Sequence, residues 1–498
     1  MRQVRINSVS PENSLRTILA PMPRMTGVLS IVLAGCFLAG GLSISLNCAA
    51  AQEGGKPAAA LEAAEAPAAN PPPSISTSVP ALGDFKQALL DRGFNLRLNY
   101  TGDTFGNVSG GIKQGAIYEG LLDMGLDGDL EKIAGLKGAS FHINAFLIHG
   151  RGLSTYYIDN FSTISDIEAR RTTRLFEAWF EQKLFGDLAS IRIGQLAADQ
   201  EFFISDFGSL YINGTFGWPN ITAADQPSGG PAYPLATPAV RIKVTPNDQL
   251  TLLAAVFNGD PSGAGFSGLQ EILDPAGINF RLRDPPLVIG EAQYKYNQEK
   301  KAAGLAGTAR LGVWYHFGPF SSYRTGTDGY SLAAPLSNGI PITFSGNYGI
   351  YGVIDQMIWR EPGDDPKKGV GAFARFSGSP SDRNLMDLYA EAGVNFIGVW
   401  DKRPDDQFGV AAAFSRISSD VSAFDQDTAF FTGTTRPIRN YELALEVTYQ
   451  AQIIPGFVIQ PDFQYIFHPG GGAVDPLNPN IGRIPDAAIF GLQSVIRF

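Results

Sequence analysis

The chain has 498 residues, of which 44% are hydrophobic and only 17% charged, with 57 Gly, 33 Phe and a formal net charge of −10. That length admits one large domain or two ordinary ones, and the charge content falls below the roughly 25% usual for soluble domains. An acidic balance of this kind excludes nucleic acid as a partner.

Arg2, Arg5, Arg16 and Arg24 precede an apolar run from Val28 to Leu46, which leads into N-C-A-A-A-Q-E. Ala49 and Ala51 fit the small-residue pattern of a cleavage site, so residues 1–51 read as an export signal removed after Ala51. L-A-G-C at 33–36 resembles a lipoprotein box, but the apolar stretch continues well past Cys36, and lipidation is not expected. Cys36 and Cys48 both fall inside this segment, so the exported chain would carry no disulfide framework and no thiolate metal site.

Residues 52–82 are rich in Ala and Pro and read as a disordered or extended linker. The stretch D-F-K-Q-A-L-L-D-R-G at 84–93 predicts a short amphipathic helix, with Phe85, Leu89 and Leu90 on one side and Gly93 as its stop. Beyond it the helical period all but vanishes and a period of two takes over. Phe94, Leu96, Leu98 and Tyr100 alternate with Asn95, Arg97, Asn99 and Thr101. Segments 118–130, 240–245, 288–297, 309–317, 388–396, 441–453 and 457–468 behave alike. The last twelve residues repeat the pattern, with Phe490, Leu492, Ser494, Ile496 and Phe498 on one parity.

Strict alternation gives strands with one apolar and one polar face. A β-sandwich would do the same, but segments of about ten residues match a tilted membrane crossing better than the average soluble strand. Tyr294, Tyr296, Tyr315, Phe317, Tyr465 and Phe467 crowd the segment ends, as an interfacial girdle would. Lipid cannot satisfy a free backbone edge, so the sheet must close. The expected fold is therefore all-β: a transmembrane antiparallel barrel of about 16 strands, 16–18 at most, over residues 83–498, preceded by a short helix and linker. Tight turns are expected at 184–188 and 453–457, and long loops at 197–237, 258–276, 318–345, 419–438 and 469–485. Short and long connections alternate back to about residue 300, and upstream of that the parity does not close, with a strand merged or split near 277–297.

Several longer motifs carry a resemblance: R-G-F-N-L-R-L-N-Y-T-G-D-T-F-G-N-V at 92–108, L-I-H-G-R-G at 147–152, G-Q-L-A-A-D-Q-E-F-F at 194–203, P-S-G-G-P-A-Y-P-L-A-T-P at 227–238 and F-N-G-D-P at 257–261. From about residue 83 onward the chain resembles the carbohydrate-selective porins of the Gram-negative outer membrane, the OprB type. The resemblance implies a 16-stranded barrel that passes glucose-like sugars by diffusion, in contact with outer-membrane lipid and lipopolysaccharide. It also implies that Phe498, with apolar residues at every second position before it, is read by the barrel-assembly machinery. Whether the barrel is a monomer or a homotrimer is left open.

A sugar offers hydroxyls to carboxylates, arginines and amides, and C–H faces to aromatic rings, so a selective pore needs both on its inner wall. The run R-L-F-E-A-W-F-E-Q-K at 174–183 places Glu177, Trp179, Glu181 and Lys183 on one parity and Phe176, Ala178 and Phe180 on the lipid-type parity. The first set is a candidate sugar rail or else ordinary wall decoration. Arg97, Arg151, Arg174, Arg241 and Arg310 are candidates for a basic strip across the bore, and Phe216 and Trp218 sit in a segment, 197–237, able to fold inward as a constriction. The four histidines show no metal spacing, and no nucleophile elbow or phosphate loop occurs, so no cofactor and no enzyme chemistry are expected. A general non-selective pore is the alternative reading, and an outer-membrane barrel enzyme a weaker one.

Overall fold

Each alternating stretch lies in a strand of one sheet. The computed structural model describes residues 74–498 apart from 264–269, 300–301, 364, 366–367 and 480–481, so the export signal and most of the Ala/Pro-rich stretch lie outside it. The strands are β1 (Phe94–Ser109), β2 (Gly115–Asp129), β3 (Ala139–Gly150), β4 (Thr172–Leu184), β5 (Ala189–Leu196), β6 (Thr237–Val244), β7 (Leu250–Asn258) and β8 (Pro286–Tyr296). They continue as β9 (Gly307–Gly326), β10 (Pro341–Arg360), β11 (Gly369–Gly378), β12 (Met386–Ile397), β13 (Gln407–Ile417), β14 (Tyr441–Ile454), β15 (Phe457–Phe467) and β16 (Ala487–Arg497). Every neighbour is antiparallel, and β16 returns to β1 to close a sixteen-stranded barrel. No helix among the described residues is long and apolar enough to cross a membrane.

The period of two separates oil from polar groups. Along β9, Leu311, Val313, Tyr315 and Phe317 are exposed on the outer face while Arg310, Trp314 and His316 are buried. Along β14, Glu442, Ala444, Glu446 and Thr448 are buried and Val447 faces out. The tight connections 185–188, 245–249 and 455–456 gather at one end, and 151–171, 197–236, 259–285, 418–440 and 468–486 at the other. In outer-membrane barrels the short turns face the periplasm.

The parity therefore closes throughout. No strand is merged or split near 277–297, which holds the end of a connection and the single strand β8; upstream, 151–171 is a further long loop in which Ser154–Ile158 form a wide helical turn, with Leu153, Ile158 and Ile164 fully buried. Two other expectations change. The loop read at 318–345 shrinks to 327–340, because β9 and β10 stay paired out to Gly326 and Pro341. The loop at 419–438 contains a helix, Ser419–Thr432, capped by the Ser418 hydroxyl and ended by left-handed Gly433. The N-terminal helix, α1 (Pro80–Asp91), begins inside the stretch read as linker.

A bulge corrects the inner face of β4. Ile143 pairs with Ala178 and Ala145 with Leu175, so Asn144 faces both Phe176 and Glu177. Asn144 Oδ1 accepts from Glu177 N at 2.9 Å, and Gln195 Nε2 donates to Phe176 O at 2.9 Å. The extra residue shifts the parity, so Phe176 is buried inside beside Phe146 and Tyr233, not lipid-facing, whereas Phe180 stays outside.

At the seam, β1 and β16 pair from Asn99 opposite Arg497 to Ser109 opposite Ala488. The fully buried Phe105 ring lies over Gly491, where a Cβ would fall 2.0 Å from ring carbons. Replacing Gly491 by Val is expected to cost about 1–3 kcal/mol through overpacking. The temperature at which the barrel loses its compact gel mobility should drop accordingly; an unchanged transition would contradict this packing.

Candidate functional site

A sixteen-stranded barrel is wide enough for an aqueous bore, and here the chain fills most of that bore with its own loops. Segment 197–236 turns inward and is held by the wall opposite its origin. Phe203 N donates to Glu291 of β8 at 2.8 Å, and Ser205 Oγ to Asp355 of β10 at 2.6 Å. Ile212 N and Asn213 N donate to Glu446 of β14 at 2.7 and 3.0 Å. Arg375 of β11, with its Glu391 partner at 2.5 Å, is fully buried and donates to the carbonyls of Phe203, Thr215, Phe216 and Gly217. Segment 151–171 joins from the other side: Phe161 N and Ser162 N donate to Glu442, and Ser165 Oγ to Asp103 at 2.6 Å. The two loops are stitched together by Asp166 N to Ile212 O at 2.8 Å and Gly214 N to Thr163 O at 2.9 Å. A loop carrying bare amides into a narrow lumen needs acceptors there, and inward carboxylates supply them.

Within these loops, loss of water pushes the Glu168 carboxyl up to about 7, although Ser154 and Leu153 hydrogen-bond it. Burial likewise raises Asp199 to about 6 against the donated Tyr233 amide.

One space the loops leave open is a cavity of about 380 Å³ against β1–β5, lined by Arg97, Asp123, Asp127, His142, Asn144, Phe146, Phe176, Glu177, Trp179, Arg192, Gln200 and Tyr233 among others. Most of its charged groups are paired, whereas Trp179 Nε1 has no hydrogen-bond partner among the described residues. Arg97 Nε lies 3.0 Å from Asp127, which also meets His142 Nδ1 at 2.7 Å, and Asn144 Nδ2 donates to Asp123 at 3.2 Å. The Arg192 guanidinium lies 3.6 Å over the Trp179 ring and bridges Glu181 at 2.5 Å and Glu201 at 2.6 Å. Arg241 sits behind, 1% exposed, with Glu201 at 2.7 Å, Glu181 at 3.2 Å and Ser190 at 2.7 Å.

The residues singled out by sequence thus fall into separate places. Arg97, Glu177 and Trp179 line the cavity; Glu181 and Arg241 lie one layer deeper and fix Arg192. Arg310 instead secures the inward loop through Asp355 at 2.6 Å and Asp206 at 2.9 Å. Arg174 is buried in β4 near segment 271–277, and Arg151 lies over Tyr156 on its loop, so the five arginines form no continuous strip. Phe216 packs against Tyr211 and Phe373, and Trp218 Nε1 donates to Gly229 O at 3.2 Å; both stiffen the loop from within. Sequence reasoning missed Arg192, Asp123, Asp127, His142 and Arg375. S-I-R-I-G at 190–194 carries the same alternation as the strand of Arg241, and that signal exposes Arg192; nothing local marks Arg375 as a loop clamp.

Closed sheet, apolar outside, aqueous cavity and inward loop together define an outer-membrane porin. Comparison with known proteins narrows the class: the carbohydrate-selective porin, OprB family, matches residues 113–498, and the chain belongs to that family. Porin B of Pseudomonas aeruginosa is 24% identical over 421 residues, covering 78% of this chain and 87% of the relative. A putative porin of Acinetobacter baylyi, QuiX, is 21% identical over 459 residues, covering 84% and 92%. Among solved structures, Pseudomonas putida OprB at high pH superposes with a TM-score of 0.73 and 24% identity, over 84% of this chain and 97% of that one, a likeness of fold. The protein is a carbohydrate-selective channel of the Gram-negative outer membrane, not an enzyme.

Removing one member of a buried charge pair leaves the other uncompensated, at about 3–5 kcal/mol. Arg375→Ala strands Glu391 and several loop carbonyls at once, so the inward loop should loosen and single-channel conductance rise. Conductance equal to wild type in a folded barrel would show that Arg375 does not set the constriction.

Proposed function

We propose that the channel passes glucose-like monosaccharides into the periplasm by diffusion, with the cavity on the β1–β5 wall as its selective station. The observation that carries this reading is the Trp179–Arg192 platform, which lines one small cavity with Asp123, Asp127 and Glu177. A pyranose can rest its C–H groups against the open edge of the Trp179–Arg192 stack, which His142 flanks at 5.1 Å, while its hydroxyls exchange hydrogen bonds with carboxylates and with Arg97. Glu181 and Arg241 act by holding Arg192 in place. Phe216, Trp218 and Arg310 act by keeping the loop rigid, and Arg174, buried in the wall, and Arg151, over Tyr156 on its own loop, support the surroundings of the path. No step needs an energy source or cofactor.

The rest of the reading concerns delivery. We infer that residues 1–51 serve as a cleaved export signal and that the Ala/Pro-rich stretch from 52 up to α1 serves as a linker ahead of the helix and barrel. Phe498 and the alternation before it address the chain to the barrel-assembly machinery.

Purified protein in liposomes should speed swelling in glucose well beyond swelling in an amino acid of equal size; equal rates would reduce it to a general pore. Trp179→Ala removes that apolar contact and the support under Arg192, a loss on the order of 1.4 kcal/mol, so the sugar concentration that half-blocks single-channel current should rise roughly tenfold. An unchanged block would remove Trp179 from the sugar path. Asp127→Asn deletes the charge shared by Arg97 and His142, so the zero-current potential in a salt gradient should move toward anion preference. A shift toward cations, or none, would place Asp127 outside the ion path.

A further inference from the structure

The helix ahead of the barrel has no part in the cavity, yet it is bound to the most exacting place in the fold. Lys86 Nζ of α1 donates to the Phe498 carbonyl oxygen at 2.6 Å, and Phe498 N donates to Leu98 O at 2.9 Å. The helix is therefore tied to the short-turn end of the β1–β16 seam. The residues before it press on the β14–β15 turn, where a Cβ on Gly456 would fall 2.2 Å from Ile75 N.

At about 100° per residue, Leu82, Phe85, Lys86, Leu89 and Leu90 occupy one broad side of α1, and Asp84, Gln87 and Asp91 the other, with Val79 the extended residue that precedes its first turn. The barrel covers only the middle of the first side. Leu82, Lys86 and Leu89 are half-buried, whereas Val79, Phe85 and Leu90 remain 45%, 53% and 40% exposed. Those apolar flanks adjoin a surface already committed to lipid, because Gly93 turns the chain directly into the outward residues of β1. The polar side, with its acidic residues, is the one left for water.

We propose that α1 is an interfacial helix whose Val79, Phe85 and Leu90 rest among the phospholipid headgroups of the periplasmic leaflet, holding the β1–β16 seam against the bilayer. The occupant is the lipid surface itself. An amphipathic helix lying in the membrane plane buries its apolar face a few ångströms into the headgroup–acyl boundary, and Lys86, pointing to the seam, fixes which side does so. This inference does not depend on the sugar reading.

The test uses the full chain with Cys36→Ala and Cys48→Ala, and then single replacements Phe85→Cys, Leu90→Cys, Asp84→Cys and Gln87→Cys. Each carries an environment-sensitive fluorophore and is reconstituted in phosphatidylethanolamine–phosphatidylglycerol vesicles, with or without a lipid bearing a nitroxide near its headgroup. Retained heat-modifiable mobility confirms each barrel. Labels at 85 and 90 should be quenched by the nitroxide lipid several-fold more than labels at 84 and 87, and less by aqueous iodide. Equal quenching at all four sites would overturn the proposal. So would iodide protection at 85 and 90 without lipid quenching, because protein rather than lipid would then cover the face.

Discussion

A backbone amide in hydrocarbon has no water to bond, and each unsatisfied group there costs several kcal/mol. Closure of β16 onto β1 is the consequence on which the remaining structure depends. It explains why the period of two persists to Arg497 and why the seam tolerates nothing larger than Gly opposite Phe105. It also fixes where polar residues go. Once the outside is reserved for oil, every carboxylate and guanidinium on a strand must point into the lumen or sit near an end.

Closure with sixteen strands creates a second problem. The bore is wide, and a wide bore selects nothing. The chain answers by returning two of its loops into the lumen, and the inward charges serve that purpose before any solute arrives. Glu291, Asp355, Glu442 and Glu446 accept from loop amides, and Arg375 donates to loop carbonyls. Buried charges are poor sources of stability in themselves, but they are costly to leave unpaired. Such pairs specify one loop position sharply, because any displaced loop strands an ion. The constriction is thus built from the same alternation that builds the wall.

Local periodicity is visible in a string of letters, so the closed barrel, its more regular strands and the connections back to about residue 300 could be read from the sequence alone, along with the tight turn at 184–188. Failures came where a residue's partner lies far along the chain. Nothing near Phe176 announces that Asn144 will face two residues at once, and that bulge alone moves Phe176 from lipid to lumen. L-S-T-Y-Y-I at 153–158 carries no period that would reveal its fate, because Leu153 and Ile158 are buried by contacts inside the filled lumen. Glu181 and Trp179 share a parity and look equivalent; only the arrival of Arg192 and Arg241 from β5 and β6 puts one on the cavity surface and the other beneath it.

The pairing within the cavity bears on how a channel can be selective without holding its cargo. Asp127 already has Arg97 and His142, Asp123 has Asn144, and Arg192 has both carboxylates and the Trp179 face. An entering hydroxyl therefore exchanges one hydrogen bond for another, and the net worth of such exchanges is small, about 0.5–1.5 kcal/mol each. A solute lacking hydroxyls must break those pairs and return nothing, which raises its barrier. Selectivity then arises from the penalty on wrong solutes while the right ones remain weakly bound, the condition under which flux survives. The β1–β5 wall can work this way because the loops are fastened largely to the opposite strands, which leaves its own pairs near enough to the open path to be exchanged.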